Sequence, residues 1–325
     1  MNIVMNINNN QKDALNILKH LNSKIKPNFK EISNELNITR QTFLNKLDIM
    51  KQEKIITNYT ININPNIRPN LNYVILEIKT NPKEPHIVEE LLKIPQLKLL
   101  DGIFGEFSLI ALLIFRSQEE YYNVLNIIDR IMANSYFKKY HVIDTIKVFK
   151  TNGIELSNAI IDPDFKIDEL DYLILKILTE EQGNKLISTY EIKNNLKDGY
   201  QTESSQPTIY NRIKKLEAAG IILNYCVNFN PRKIGFKGKY IVRIKPKDPS
   251  KYNQIALKLE KRKEIIDLFR IGENYGLLAI VRVKEIEDFG GFIKDLYESE
   301  DEGIEDTFTN FVLDERKPFT NFRIN

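Results

Sequence analysis

The sequence predicts an α+β chain in which two three-helix units, each ending in a hairpin, alternate with two strand-helix-strand-strand-helix-strand plaits. Three observations predict it. A long-period repeat runs through the chain. Helical apolar stripes and alternating strand runs recur in one order in each copy. The composition of the 325 residues, 42% hydrophobic and 28% charged, supports a buried core in each unit.

The repeat is read first, because a missed period misassigns the whole fold. Ile55 to Pro65 reads IITNYTININP and Ile221 to Pro231 reads IILNYCVNFNP, an offset of 166 residues. Upstream, ILKHL at Ile17–Leu21 matches ILKIL at Ile174–Leu178 at offset 157, and Ile32 matches Ile192 at 160. The growing offset places extra residues between the helices of the second copy. Downstream, Phe104, Gly105 and Glu106 fall near Ile271, Gly272 and Glu273 at 167. With Pro163 punctuating the boundary, the expected division is a helical domain at 1–66, a plait at 67–152, a linker at 153–166, a second helical domain at 167–237 and a second plait at 238–325.

In the first copy, helix one spans roughly Gln11–Leu21, with Leu15, Leu18 and Leu21 at helical spacing; its counterpart, Asp168–Leu178, carries Leu170, Leu173, Ile174 and Ile177. Asn28 with Glu31, and Ser188 with Glu191, have the spacing that caps a helix N-terminus. Helix three begins at Thr39 or Ser205 and buries Phe43, Leu47 and Met50, or Ile209, Ile213 and Leu216. The alternating strand and its hairpin partner then follow, which makes a winged helix-turn-helix. Each plait reads βαββαβ: Tyr73–Thr80, Pro85–Lys93, Leu97–Phe104, Phe107–Arg116, Gln118–Asn134 and Lys138–Lys150, then Lys239–Lys245, Ser250–Arg262, Ile265–Ile271, Leu277–Lys284, Glu287–Glu298 and Glu305–Leu313. That order is a ferredoxin-like fold. The apolar run Leu109–Phe115 fits a central strand covered on both faces.

Composition excludes several classes. That apolar run is far shorter than the ~20 residues of a membrane span, and MNIVMNINNN lacks the parts of a secretory signal, so a soluble cytoplasmic protein with no membrane partner is expected. One cysteine, Cys226, and three scattered histidines offer no disulfide and no zinc spacing, and no phosphate-binding loop or hydrolase motif occurs. No metal, cofactor or enzyme chemistry is expected. The acidic run from Glu298 to Glu302 reads as a solvated loop. Charge is unevenly placed: residues 1–60 hold 9 Lys/Arg against 5 Asp/Glu and residues 166–237 hold 11 against 9, while 61–160 balance at 11 each.

SQPTIYNRIKKLEAAGIILNYCVNFNPRKIGF, from Ser205 to Phe236, resembles the recognition helix and following strand of Lrp/AsnC-family transcriptional regulators, and DELD at Asp168–Asp171 resembles the family's opening pattern. TRQTFLNKLDIMKQEKIITNYTININP is a weaker version in copy one. The resemblance covers nearly the whole chain as two copies. It implies a sequence-specific regulator that binds double-stranded DNA through winged helices and pairs its ligand-binding-type plaits, either inside one chain as a pseudo-dimer or between chains as a homodimer.

A recognition helix needs one buried face and an opposite face of polar and cationic side chains. Copy one offers Arg40, Gln41, Thr42, Asn45 and Lys46; copy two offers Gln206, Thr208, Tyr210, Asn211, Arg212, Lys214 and Lys215. The copies differ. Asn37 and Ile38 alone separate helices two and three in copy one, whereas copy two inserts KDGYQTES from Lys197 to Ser204, and Asp48 stands where copy two has Lys214.

The resemblance also places a small-molecule effector near a glycine-acid turn between plait strands two and three. Here those turns are Gly105, Glu106 and Ser108, and Gly272, Glu273 and Asn274. The family's second acid is replaced by Ser108 or Tyr275, which argues against an amino-acid effector. Two alternatives stand beside the regulator: a plait-mediated interaction protein without DNA binding, and an enzyme, because siroheme decarboxylases resemble this family and use plait histidine and arginine. The turns DGIFGEF and RIGENYG contain no histidine.

Overall fold

The computed structural model describes residues 2–67, 70–298 and 303–324. In chain order the elements are α1 (Asn2–Leu21), α2 (Phe29–Glu35), α3 (Arg40–Gln52), β1 (Ile56–Ile63), β2 (Asn72–Lys79), α4 (Pro85–Leu92), β3 (Leu97–Ile103), β4 (Leu109–Phe115), α5 (Gln118–Ala133), β5 (Lys139–Thr151) and the short β6 (Ile154–Glu155). The second half continues with α6 (Glu169–Glu180), α7 (Thr189–Tyr200), α8 (Gln206–Ala218), β7 (Ile222–Phe229), β8 (Gly238–Pro246), α9 (Tyr252–Leu259), β9 (Ile265–Ile271), β10 (Leu277–Val283), α10 (Asp288–Glu298) and β11 (Ile304–Glu315). The acidic residues at 299–302 lie outside the described residues. Two compact units result, and each draws on both halves: residues 1–64, 158–235 and 319–325 form one, residues 65–157 and 236–318 the other.

In the first unit each helix triad closes on an apolar stripe. Ala14, Ile17, Leu18 and Leu21 of α1 are buried with Ile32, Phe43, Leu47 and Met50; Ile174, Ile177 and Leu178 are buried with Ile192, Leu196, Ile209, Ile213 and Leu216. Leu15 of α1 and Leu170 and Leu173 of α6 are only half-buried, whereas the other expected stripe positions, Leu18, Leu21, Ile174 and Ile177, are buried. Ser188 and Glu191 make a complete capping box on α7, and Asp168 and Asp171 make another on α6. The insertion at Lys197–Ser204 is not all loop. Its first half extends α7 by a turn to Tyr200, and Gln201 ends the helix in the left-handed region at φ 52°.

The expected hairpin does not form. β1 pairs antiparallel with β7 of the other copy, with Thr60 opposite Cys226 and Asn62 opposite Asn224. The reason is in the repeat itself. Each strand carries Asn-Tyr-x-x-Asn, so the antiparallel pair matches asparagine with asparagine: Asn62 Nδ2 donates to Asn224 Oδ1 at 2.8 Å and Asn228 Nδ2 donates to Asn58 Oδ1 at 3.0 Å. No two-residue hairpin turn follows either strand. Each strand's other edge meets the loop that follows the opposite copy's first helix, Tyr59 N donating to Gly183 O at 2.9 Å and Tyr225 N to Ser23 O at 2.7 Å. Cys226 is a buried small side chain beside Asn62 and Asn321.

In the second unit both plaits share one sheet, ordered β2-β4-β3-β11-β8-β10-β9-β5-β6, and a β2–β5 pairing closes it. Strands β3 and β11 join the plaits at one seam; β5 and β9 join them at the other. α4 and α5 cover the first plait over Val74, Leu76, Ile87, Leu91, Ile128 and Met132. α9 and α10 cover the second over Val242, Ile255, Leu259, Phe292 and Leu296. Alternate strand residues face inward instead, where Ile75, Ile110, Leu112, Ile241, Phe269 and Leu278 surround a small apolar void. The run Leu109–Phe115 is β4, a central strand buried on both faces, as its continuous hydrophobicity requires.

Candidate nucleic-acid interface

Helices α3 and α8 start with the same geometry. Thr39 accepts from the Thr42 backbone N–H and shares a hydroxyl contact with Thr42 at 2.8 Å; Ser205 accepts from Thr208 N–H and contacts its hydroxyl at 2.7 Å. Phe43, Leu47 and Met50, and Ile209, Ile213 and Leu216, turn inward. The helical period therefore turns the positions between them outward.

On α3, Arg40, Gln41, Thr42 and Asn45 are exposed, and Gln41 Nε2 donates to Asn45 Oδ1 at 2.9 Å. Lys46 turns aside to Asp13 of α1. On α8, Gln206, Thr208, Tyr210, Asn211, Lys214 and Lys215 are exposed. Lys214 pairs with Glu217 at 2.7 Å and lies 5.8 Å from the Tyr210 ring centroid.

Arg212 is placed differently. It pairs with Asp168 and, at 3.0 Å, with the buried Asp171, the two residues of the α6 capping box. Burial pushes the Asp168 carboxyl up, but the Asp171 backbone N–H and the Arg212 guanidinium outweigh it and hold the group below the usual carboxylate range. Lys46 and Arg212 occupy equivalent helix positions, 166 residues apart. Both tie the third helix to the first. An i, i+7 pattern cannot separate such a clamp from a DNA-facing cation, because both sit on the helix flank.

In the second unit, the two glycine-acid turns converge on one cavity of 470 Å³, lined by residues that include Glu106, Phe107, Glu273, Asn274 and Tyr275. Of the expected effector residues, Gly105, Ser108 and Gly272 do not line it. Ser108 bonds back to Thr80 at 2.9 Å, and Gly272 N donates to Asp144 O at 3.1 Å. Sequence reading missed Glu77, His141 and Arg243, which complete the cavity from β2, β5 and β8. Arg243 bonds Glu77 at 2.7 Å and also pairs with Glu273; His141 lies 3.3 Å from Glu77. Glu106 pairs with Lys139 at 2.6 Å. The signal was present: VILEIK and IVRIK each carry one charge in mid-strand, and both charges are buried. Among the described residues, no cluster of His, Cys, Asp or Glu could hold a metal, and no helix is long and apolar enough to cross a membrane.

Third helices with an exposed polar face, in a chain that also builds βαββαβ plaits, define a helix-turn-helix protein with ligand-binding-type domains. The chain belongs to the Lrp/AsnC family. The Lrp/AsnC ligand binding domain matches residues 240–322. The HTH-type transcriptional regulator Ptr1 of Methanocaldococcus jannaschii is 33% identical over 127 residues, 39% of this chain and 79% of the relative. The regulator FL11 of Pyrococcus furiosus is 29% identical over 158 residues, 49% of this chain and 97% of the relative. A crystal structure of the siroheme decarboxylase NirDL matches 94% of this chain and 91% of its own at a TM-score of 0.59 and 12% identity, a likeness of fold.

Proposed function

We propose that the chain is a sequence-specific DNA-binding transcription regulator made of two fused Lrp/AsnC copies, each a three-helix helix-turn-helix unit followed by a plait, with the strand after each third helix paired across the copies as β1–β7. The observation that carries this reading is the matched pair α3 and α8, each capped by a hydroxyl and each presenting exposed Asn, Thr and Gln side chains. Asn45 and Asn211 sit at the same helix position and have the donor-acceptor pair that reads adenine; Arg40 can engage guanine. Lys215 and Lys214 supply phosphate attraction in copy two. The plaits hold the two copies together, and the cavity between their turns is the place for a small effector. The test is binding to a selected operator across salt. A regulator touching ~6 phosphates loses about a thousandfold affinity between roughly 50 and 200 mM salt. Salt-insensitive or absent binding would instead favour a plait-mediated interaction protein.

One observation favours a second reading: His141 and Arg243, a histidine and an arginine of the plaits, share the cavity. Siroheme is a polycarboxylate, however, and Arg243 is already engaged by Glu77 and Glu273. Titration with an iron tetrapyrrole separates the readings. The regulator gives no shifted absorption band; a saturable band lost in His141→Ala would support the enzyme.

A further inference from the structure

Residues at equivalent register positions in the two plaits differ in a pattern that tests which plait each will accept. Strands β2 and β8 match in sequence at an offset of 166, so Glu77 corresponds to Arg243 and Tyr73 to Lys239. The pairings of β4 and β10 place Ile114 opposite Tyr73 and Arg282 opposite Lys239. At the seams, Glu315 faces Asp101 and Val148 faces Phe269. One seam is therefore ionic. Lys239 bonds Asp101 at 2.6 Å and Glu315 at 3.4 Å, Arg282 bonds Glu315 at 2.5 Å, and all four side chains are buried. The equivalent positions at the other seam are Tyr73, Phe269, Val148 and Ile114, with the rings of Tyr73 and Phe269 at 5.8 Å. Between the seams, buried Glu77 meets buried Arg243.

We propose that these positions form a key that makes the first plait accept the second plait and reject a copy of itself, so that the chain closes its own eight-stranded ring rather than exchanging plaits with another chain. This inference stands apart from DNA binding. In a pair of first plaits, Glu77 would meet Glu77, and Asp101 would be buried against Tyr73 and Val148 with no cation. In a pair of second plaits, Arg243 would meet Arg243, and Lys239 would lose Asp101 to Phe269. A buried charge without its partner is strongly disfavoured, so both self-pairings fail at the axis and at both seams. Only the mixed pair puts every ionic position opposite its complement and every apolar position opposite another.

The test uses the full chain carrying Gly102→Cys and Asp314→Cys. A Cβ built on Gly102 lies 3.5 Å from that of Asp314 across the ionic seam, within disulfide range. On oxidation, closure within the chain gives a single-chain product on a non-reducing gel; a mainly two-chain product would overturn the proposal. In the same background, Glu77→Arg and Arg243→Glu each set like charges against each other within a chain. Each variant alone should lose most of the single-chain disulfide, the E77R/R243E double variant should regain part of it, because the carboxylate at 243 still lies beside Glu273, and mixing the two single variants should yield a two-chain product. Wild-type disulfide yield in both single variants, or no two-chain product on mixing, would show that the charges do not set the pairing. The mixing arm keeps the test decisive even if each single variant is misfolded alone.

Discussion

Arg212 and Asn211 are neighbours that point different ways, Arg212 to the α6 cap and Asn211 to solvent. Arg212→Ala leaves the carboxylate of Asp171, buried at the α6 cap, without its cation, and should cost about 1–3 kcal/mol of stability, read by denaturant unfolding. Asn211→Ala, on the exposed face, should leave stability within about 0.5 kcal/mol and relax base preference at one operator position, read by binding to single-base operator variants. The reverse outcome would make Arg212 the reader. The sequence showed that both residues lie on helix three. Only the position of α6 revealed which of them points back into the protein, since Asp168 and Asp171 are more than forty residues upstream.

At the scale of elements, the capping box of α7 is a titratable part. The side chain of Lys185, with the backbone and hydroxyl of Ser188, holds Glu191 down from the ordinary 4.5 to about 2. The folded chain binds that proton less readily than the unfolded one. The resulting stability is therefore complete above about pH 4.5 and is lost as pH falls toward 2. The difference in melting temperature between wild type and Glu191→Gln should shrink across that window. The strand pair β1–β7 supplies a second test. Asn62→Ala leaves the buried Asn224 and Asn321 each short of a hydrogen bond, and should destabilise by about 1–3 kcal/mol. Asn62→Ala and Asn224→Ala together should cost less than the sum of the two, because the lost partner is shared. Most helices and plait strands were legible to within one or two residues, because stripes and alternation are local; the exceptions are α1, which begins at Asn2 rather than the expected Gln11, and α9, which ends at Leu259 rather than Arg262. The hairpin was not, because alternation states that a strand exists and not what it pairs with.

For the whole molecule, the proposed reading of DNA by two non-identical third helices, α3 and α8, predicts an asymmetric operator. Asn45→Ala should alter preference in one half of the selected site and Asn211→Ala in the other, as read from sequences enriched out of random DNA. A shift in both halves from either variant would require two chains exchanging roles. The cavity also belongs to this scale. Its carboxylates, His141 and Arg243 come from five separate strands and turns of both plaits, so no short motif could disclose it.

By itself the sequence determined the repeat, the type and order of nearly every element, the family, and the outward face of each third helix, because all of these follow from spacing along one segment. The tertiary structure decided the partners: β1 with β7, plait with plait, Arg212 with the cap of α6. Pairing depends on which surfaces more than forty residues apart satisfy one another's hydrogen bonds and charges, and only the folded chain brings those surfaces together.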